Sequence, residues 1–209
     1  MLKDLIPYIP YDELRKYADD FLNRYHPDDN LPIPIEEIIE FQLKLNIIPV
    51  KELKNVHDID GWLTSDLRSI IVDEYQIEHF ENRYRFTLAH EVSHLVLHKK
   101  VYESANISKT DDYLEFIKQL GETGLVANFE WQANNLAGLI LVPEYHLFQE
   151  AKKIISVTLK NTSTDDIIKH TEILWYLVKW KLSKAFNVSE KTIDIRFQLD
   201  NVSNIIKLS

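Results

Sequence analysis

The chain has 209 residues, 45% of them hydrophobic, and a formal net charge of −9 at pH 7. That length bounds it to one medium domain, or one with a small appendage, and the apolar content is enough for a sizeable core. The acidity argues against non-specific nucleic-acid binding by the chain as a whole, and the lack of cysteine excludes disulfides, thiolate metal sites and cysteine nucleophiles. Any metal must therefore be held by histidine and carboxylate. No segment approaches the roughly 18 to 20 unbroken apolar residues of a membrane span. The N-terminus lacks the basic region and long apolar stretch of a signal peptide, so a cytoplasmic location is expected.

Leu14, Tyr17, Ala18, Phe21, Leu22 and Tyr25 recur at three- and four-residue spacing, which predicts an amphipathic helix capped by Asp12 and ending at Tyr25. A break follows at His26 to Pro34; six of the seven prolines precede residue 50, and residues 1–30 read as an N-terminal helical arm. Ile35 to Leu45 predicts a second helix, and Asn46 to Val50 a short strand whose Pro49 suits a sheet edge. Gly61 to Thr64 and Ser69 to Val72, joined by four polar residues, predict a hairpin. Such strands could take an extended peptide on a sheet edge or simply cover the core.

The next helix is expected from about Asn82 to Lys100, and it contains His90-Glu91-Val92-Ser93-His94. At about 100° per residue, His90 and His94 lie one turn apart on one face and can share a metal ion. Glu91 projects beside them, where a carboxylate can act as general base. Apolar residues surround the helix on most sides, so it is expected to be buried. Three imidazoles and a carboxylate in such a helix are costly without a partner, and a metal is one. Two histidines are one ligand short of a catalytic zinc site.

Residues 111–120 suggest a short helix, and Gly121 and Gly124 a turn. Asn128 is a plausible N-cap for a helix from Phe129 to Val142, whose small residues Ala133, Ala137 and Gly138 permit close packing. Its one acid, Glu130, can be the third ligand, with Asn134 one turn on to orient it or an imidazole. Equally, Glu130 can be a solvated first-turn acid favoured by the helix dipole, and spacing alone leaves both readings open. Helices are also expected at Glu144 to Lys153 and Thr164 to Ala185. Lys184 to Phe197 reads as helix, turn, helix with a locally positive balance. This pair either docks on the core or forms a small DNA-reading unit, and the acidic whole favours docking.

Arg85-Phe86-Thr87-Leu88-Ala89-His90-Glu91-Val92-Ser93-His94-Leu95-Val96-Leu97-His98, followed by Phe129-Glu130, Ala133-Asn134, Ala137 and Leu141-Val142-Pro143, resembles the ImmA/IrrE family of metallopeptidases. The likeness covers roughly residues 35 to 200, weakly towards the end. It implies an α+β, mainly helical zincin-like fold with a small sheet beside the active-site helix. It also implies His90, His94 and Glu130 as zinc ligands and Glu91 as catalytic base. Manganese or iron would suit the same donors. The implied activity is cleavage of a helix-turn-helix transcriptional repressor, encoded nearby, which relieves repression in a mobile element, prophage or stress response. Ser93 departs from the glycine usual in the family, and its small size preserves the helix contact.

The expected organisation is an N-terminal arm (1–30), a metallopeptidase core (31–160) and a C-terminal helical extension (161–209). His98 reads as a packing or hydrogen-bonding residue, because a fourth protein ligand would close the site. Tyr145, His146, His170 and Tyr176 could stabilise an oxyanion, and nothing in the sequence chooses among them. The alternative functions are a non-proteolytic partner of a repressor or antitoxin, and a DNA-binding regulator acting through the C-terminal helices.

Overall fold

A computed structural model describes residues 2–160 and 171–205. The fold is α+β, with many helices and one three-stranded sheet, as the sequence predicts. By internal contacts it divides into two units, residues 1–29 with 34–140, and residues 30–33 with 141–209.

The first unit begins with α1 (Leu2–Leu5) and α2 (Tyr11–Tyr25). Helix α2 buries Leu14, Ala18 and Phe21 on one stripe, as the periodicity requires. Its cap is Pro10 rather than Asp12, with the Pro10 carbonyl accepting the first backbone bonds from Glu13 and Leu14. The expected helix at Ile35 to Leu45 is shorter: α3 (Ile35–Glu37) passes into a π turn over Ile38–Gln42. Widening the turn keeps Ile35, Ile38 and Ile39 all buried.

The sheet order is β1 (Asn46–Val50), β3 (Ser69–Asp73), β2 (Gly61–Leu63), with α4 (Leu53–His57) between β1 and β2. β1 pairs parallel to β3, and β2 antiparallel to it, with Gly61 opposite Val72. Pro49 therefore lies on an edge strand, where a missing N–H does no harm. The centre of β3 is buried, as expected of the strand paired on both sides. Gly61 is required by close approach: a Cβ there would sit 2.7 Å from both the Ile71 carbonyl oxygen and Thr87 Cγ2. A side chain at 61 would push β2 off both its partner strand and the next long helix.

After α5 (Glu74–His79) comes α6 (Glu81–Leu97), which carries the His-Glu-x-x-His pattern and packs against β2, β3 and α3. It stops short of the expected Lys100, because His98 leaves helical geometry (φ −121°, ψ 19°) before α7 (Lys99–Ser104). Then follow α8 (Thr110–Glu122) and α9 (Val126–Leu141). Helix α9 starts earlier than Asn128. Gly124 adopts φ +72°, a conformation cheap only for glycine, so the chain reverses quickly, and by Phe129 the backbone is already bonding to Leu125.

The second unit holds α10 (Glu144–Lys160), α11 (Thr171–Phe186), α12 (Glu190–Leu199) and α13 (Val202–Ile205). The beginning of the helix expected from Thr164 lies outside the described residues. Ser189 caps α12 by accepting from the Thr192 N–H. The cations that suggested a DNA-reading unit are partly used internally. Lys179 pairs with Asp194 at 2.6 Å, and Arg196 is buried against Asp200. Among the described residues no helix is long and apolar enough to cross a membrane.

Candidate metal centre

Helix α6 is buried along most of its length: Leu88, Ala89, Val92 and Ser93 have no exposure, and Glu91 and His94 retain 3% and 1%. The polar side chains it takes inside must find partners. Ser93 finds one locally, its hydroxyl donating to the Ala89 carbonyl at 2.7 Å, so serine costs little where a smaller residue was expected.

His90 and His94 face each other one turn apart, with their Nε2 atoms 3.0 Å apart. Glu130, in the first turns of α9, places Oε2 3.2 Å from His90 Nε2 and Oε1 3.8 Å from His94 Nε2. One donor atom from each of the three residues falls within 4.8 Å of the other two. Zinc–nitrogen and zinc–oxygen bonds of about 2.0–2.1 Å set tetrahedral donors about 3.3–3.4 Å apart. The observed spacings bracket that value, and two imidazoles with one carboxylate form a donor set that suits zinc, manganese or iron. The residues fit a metal ion.

Phe129, one residue before Glu130, stacks on the His94 ring and lies tilted against that of His98, with centroids 4.2 Å away in each case. This aromatic contact fixes α9 against the end of α6 and so sets where Glu130 reaches. Asn134, one turn beyond Glu130 and exposed, hydrogen-bonds His90.

Proton affinities differ sharply among these neighbours. Burial disfavours the His90 cation, but the bond to Glu130, with the Glu91 and Glu130 charges and the Asn134 contact, outweighs it and raises the His90 pKa. His94 goes well below the ordinary value, through burial and the proximity of His90 and His98. Glu91 is pushed up to about 7, chiefly by burial, with His90 and a hydrogen bond from the Leu63 backbone opposing. Its Oε2 is buried without a hydrogen-bond partner. A carboxylate poised near neutrality, tethered by one edge-strand amide and with one oxygen unsatisfied, is able to take up and release a proton.

The chain matches the model of Peptidase_M78, the IrrE N-terminal-like domain, over residues 57–198. It belongs to this family. The matched span holds β2, β3, α6 and α9, and it makes this a metallopeptidase-like domain. None of the curated proteins matches. A solved structure of a Mycobacterium tuberculosis transcriptional regulator is similar over 90% of this chain and 52% of its own, with 15% identity and a TM-score of 0.43. This chain thus spans about half the length of that regulator.

Of the residues singled out from the sequence, His90, Glu91, His94, Glu130 and Asn134 come together. Tyr145, His146 and Tyr176 fall in the second unit, and His170 lies outside the described residues, so the oxyanion role stays unassigned. The sequence did not single out Gln132 or Tyr102. Gln132 is fully buried, but it stands among Asn128, Glu130, Asn134 and Asn135 on α9, so the sequence carried no signal to mark it out. Tyr102 is buried with its hydroxyl lacking a hydrogen-bond partner, and burial raises its pKa well above the ordinary value.

Proposed function

We propose that this protein is a zinc-dependent endopeptidase of the cytoplasm that cuts a helix-turn-helix repressor and so relieves repression. The carrying observation is the convergence of His90, His94 and Glu130 beside a buried, half-satisfied Glu91. In this reading His90, His94 and Glu130 hold the metal, and residues 31–160 form the working core between the arm (1–30) and the extension (161–209). A bound zinc ion would act as Lewis acid and supply activated water.

The chain's own residues do the rest. Glu91 accepts the proton of the attacking water on its free Oε2 and later delivers it to the leaving amine, while the Leu63 amide keeps the carboxylate in place. Asn134 orients His90 through its hydrogen bond. β2 pairs on one side with β3, and its other edge supports addition of an extended substrate strand beside Glu91.

The test is incubation of purified protein with a helix-turn-helix regulator encoded beside its gene. Cleavage is expected with zinc, abolished by chelator, and lowered at least about 100-fold by Glu91→Gln, the lower bound for losing a general acid–base. Intact cleavage by folded Glu91→Gln protein would sink the mechanism. Full derepression by folded His90→Ala protein would instead favour a partner that binds without cutting.

A further inference from the structure

Behind His94 runs a chain of hydrogen bonds that ends at the N-terminal segment. The Pro7 carbonyl can only accept, and Gln132 Nε2 lies 2.6 Å from it. That contact fixes the amide orientation, so Gln132 Oε1 is the atom 2.9 Å from His98 Nε2. An amide oxygen cannot donate, and His98 Nε2 must therefore carry the proton between them. His98 is 1% exposed and lies tilted against Phe129, and its hydrogen-bond partners are an amide and another imidazole. In that setting the ring is neutral, with a single N–H, which leaves Nδ1 as an acceptor.

The atom facing His98 Nδ1, at 2.9 Å, is His94 Nδ1. It must donate. The remaining nitrogen of His94, Nε2, is then a bare lone pair, and it is the atom that faces His90 and Glu130. This link exists because α6 ends at Leu97. Turning His98 out of the helix brings the two Nδ1 atoms together.

We propose that Gln132, acting through His98, holds His94 in the tautomer that offers Nε2 to a metal, with the Pro7 carbonyl as the fixed end of the relay. Gln132 and His98 are then positioning residues. The same relay gives the N-terminal segment a part in the centre although it lies 125 residues from Gln132 in sequence. The proposal rests on the reading of His90, His94 and Glu130 as metal ligands.

The experiment uses full-length protein with histidine labelled in ¹⁵N and the metal removed. Long-range proton–nitrogen correlation spectra should show His94 protonated at Nδ1 and His98 at Nε2. Gln132→Met keeps the bulk but removes the strong acceptor, so it should mix the tautomers of both rings. Zinc affinity, measured by competition with a chromophoric chelator, should fall about 10- to 100-fold, the usual cost of losing an outer hydrogen-bond partner. His98→Phe should weaken zinc similarly, and adding Gln132→Met to it should cost little more, because the relay is already cut.

Three results would each overturn the relay: His94 protonated at Nε2 in the wild-type protein, unchanged zinc affinity in folded Gln132→Met protein, or additive losses in the double variant. If Gln132→Met fails to fold, the wild-type spectrum alone decides. A wild-type protein with both predicted tautomers but no affinity for zinc would overturn the ligand assignment and leave the hydrogen-bond chain standing.

Discussion

The two units each carry a polar pair at i, i+4 spacing, and they treat it in opposite ways. In the second unit, Arg196 on α12 and Asp200 at its C-cap are 1% and 3% exposed, and they close on each other at 2.7 Å, with the Val142 carbonyl accepting from the same guanidinium. A cation meets its anion, and the charges balance inside the unit. In the first unit, His90 and His94 on α6 bring two ring nitrogens to one spot, where Glu130 adds a carboxylate and Glu91 leaves an oxygen unpaired. That cluster converges ligand atoms from three residues on one point. Buried polar groups that satisfy one another hold a structure together, whereas ligand atoms that converge on one point have the form of a cation site.

The comparison breaks most visibly at Glu130. Glu130→Gln removes the negative ligand, so zinc affinity should fall by more than about 100-fold, beyond the range for outer partners. The thermal stabilisation seen on adding zinc to the wild type should vanish with it. Titration calorimetry and melting with and without zinc check both. Equal zinc affinity in the variant would mean that Glu130 is only a first-turn acid.

Next in size is the closed pair. Arg196→Met leaves Asp200 buried without its partner and should cost about 3–5 kcal/mol in urea unfolding, whereas the double change Arg196→Met with Asp200→Leu should recover most of that loss. Zinc affinity should stay at the wild-type level in both. A change in metal binding would show that the two clusters are not energetically separate.

The two clusters also differed in how far they could be read from the residues. The α6 site was legible because its geometry is local: His90, Glu91 and His94 are set by one helical turn, and the apolar positions around them announce burial. Glu130 was harder, since its spacing fitted a surface acid equally well. What the sequence could not express is the contact of Phe129 with two histidine rings that brings Glu130 within reach. Helix ends were misplaced where single residues left the pattern, at His98 and after Gly124. The hairpin and Pro49 were read correctly because strand pairing follows a short-range pattern. The positive balance of the C-terminal pair overstated its free charge because Asp200, the partner of Arg196, lies beyond the stretch read as that pair, and only the fold shows both buried.

A smaller effect sharpens the open cluster. The Glu91 pKa is raised from 4.5 to about 7, mainly by burial, so the folded state prefers the protonated acid. Its contribution to stability is complete below the unfolded value and is lost as pH rises through about 7. In metal-free protein Glu91→Gln should therefore be more stable than wild type at pH 8, by up to about 3 kcal/mol, with the advantage disappearing near pH 4. Urea titrations at the two pH values measure it. An advantage of the same size at both would place its origin in packing rather than charge.

The least effect belongs to Lys179 and Asp194, which join α11 to α12 at 2.6 Å but keep 30% and 47% of their side-chain surface in solvent. Their contact is as short as that of Arg196 and Asp200, so distance cannot separate the two pairs. Water around Lys179 screens the attraction and rehydrates whichever partner is left alone. Lys179→Met should cost less than about 1 kcal/mol, and molar salt should erase the difference, because screening acts on exposed charges. The Arg196→Met cost should survive the same salt, since ions do not reach a pair with almost no exposed surface. If salt erased both, the isolation of Arg196 from solvent, and with it the contrast with the open cluster on α6, would be wrong.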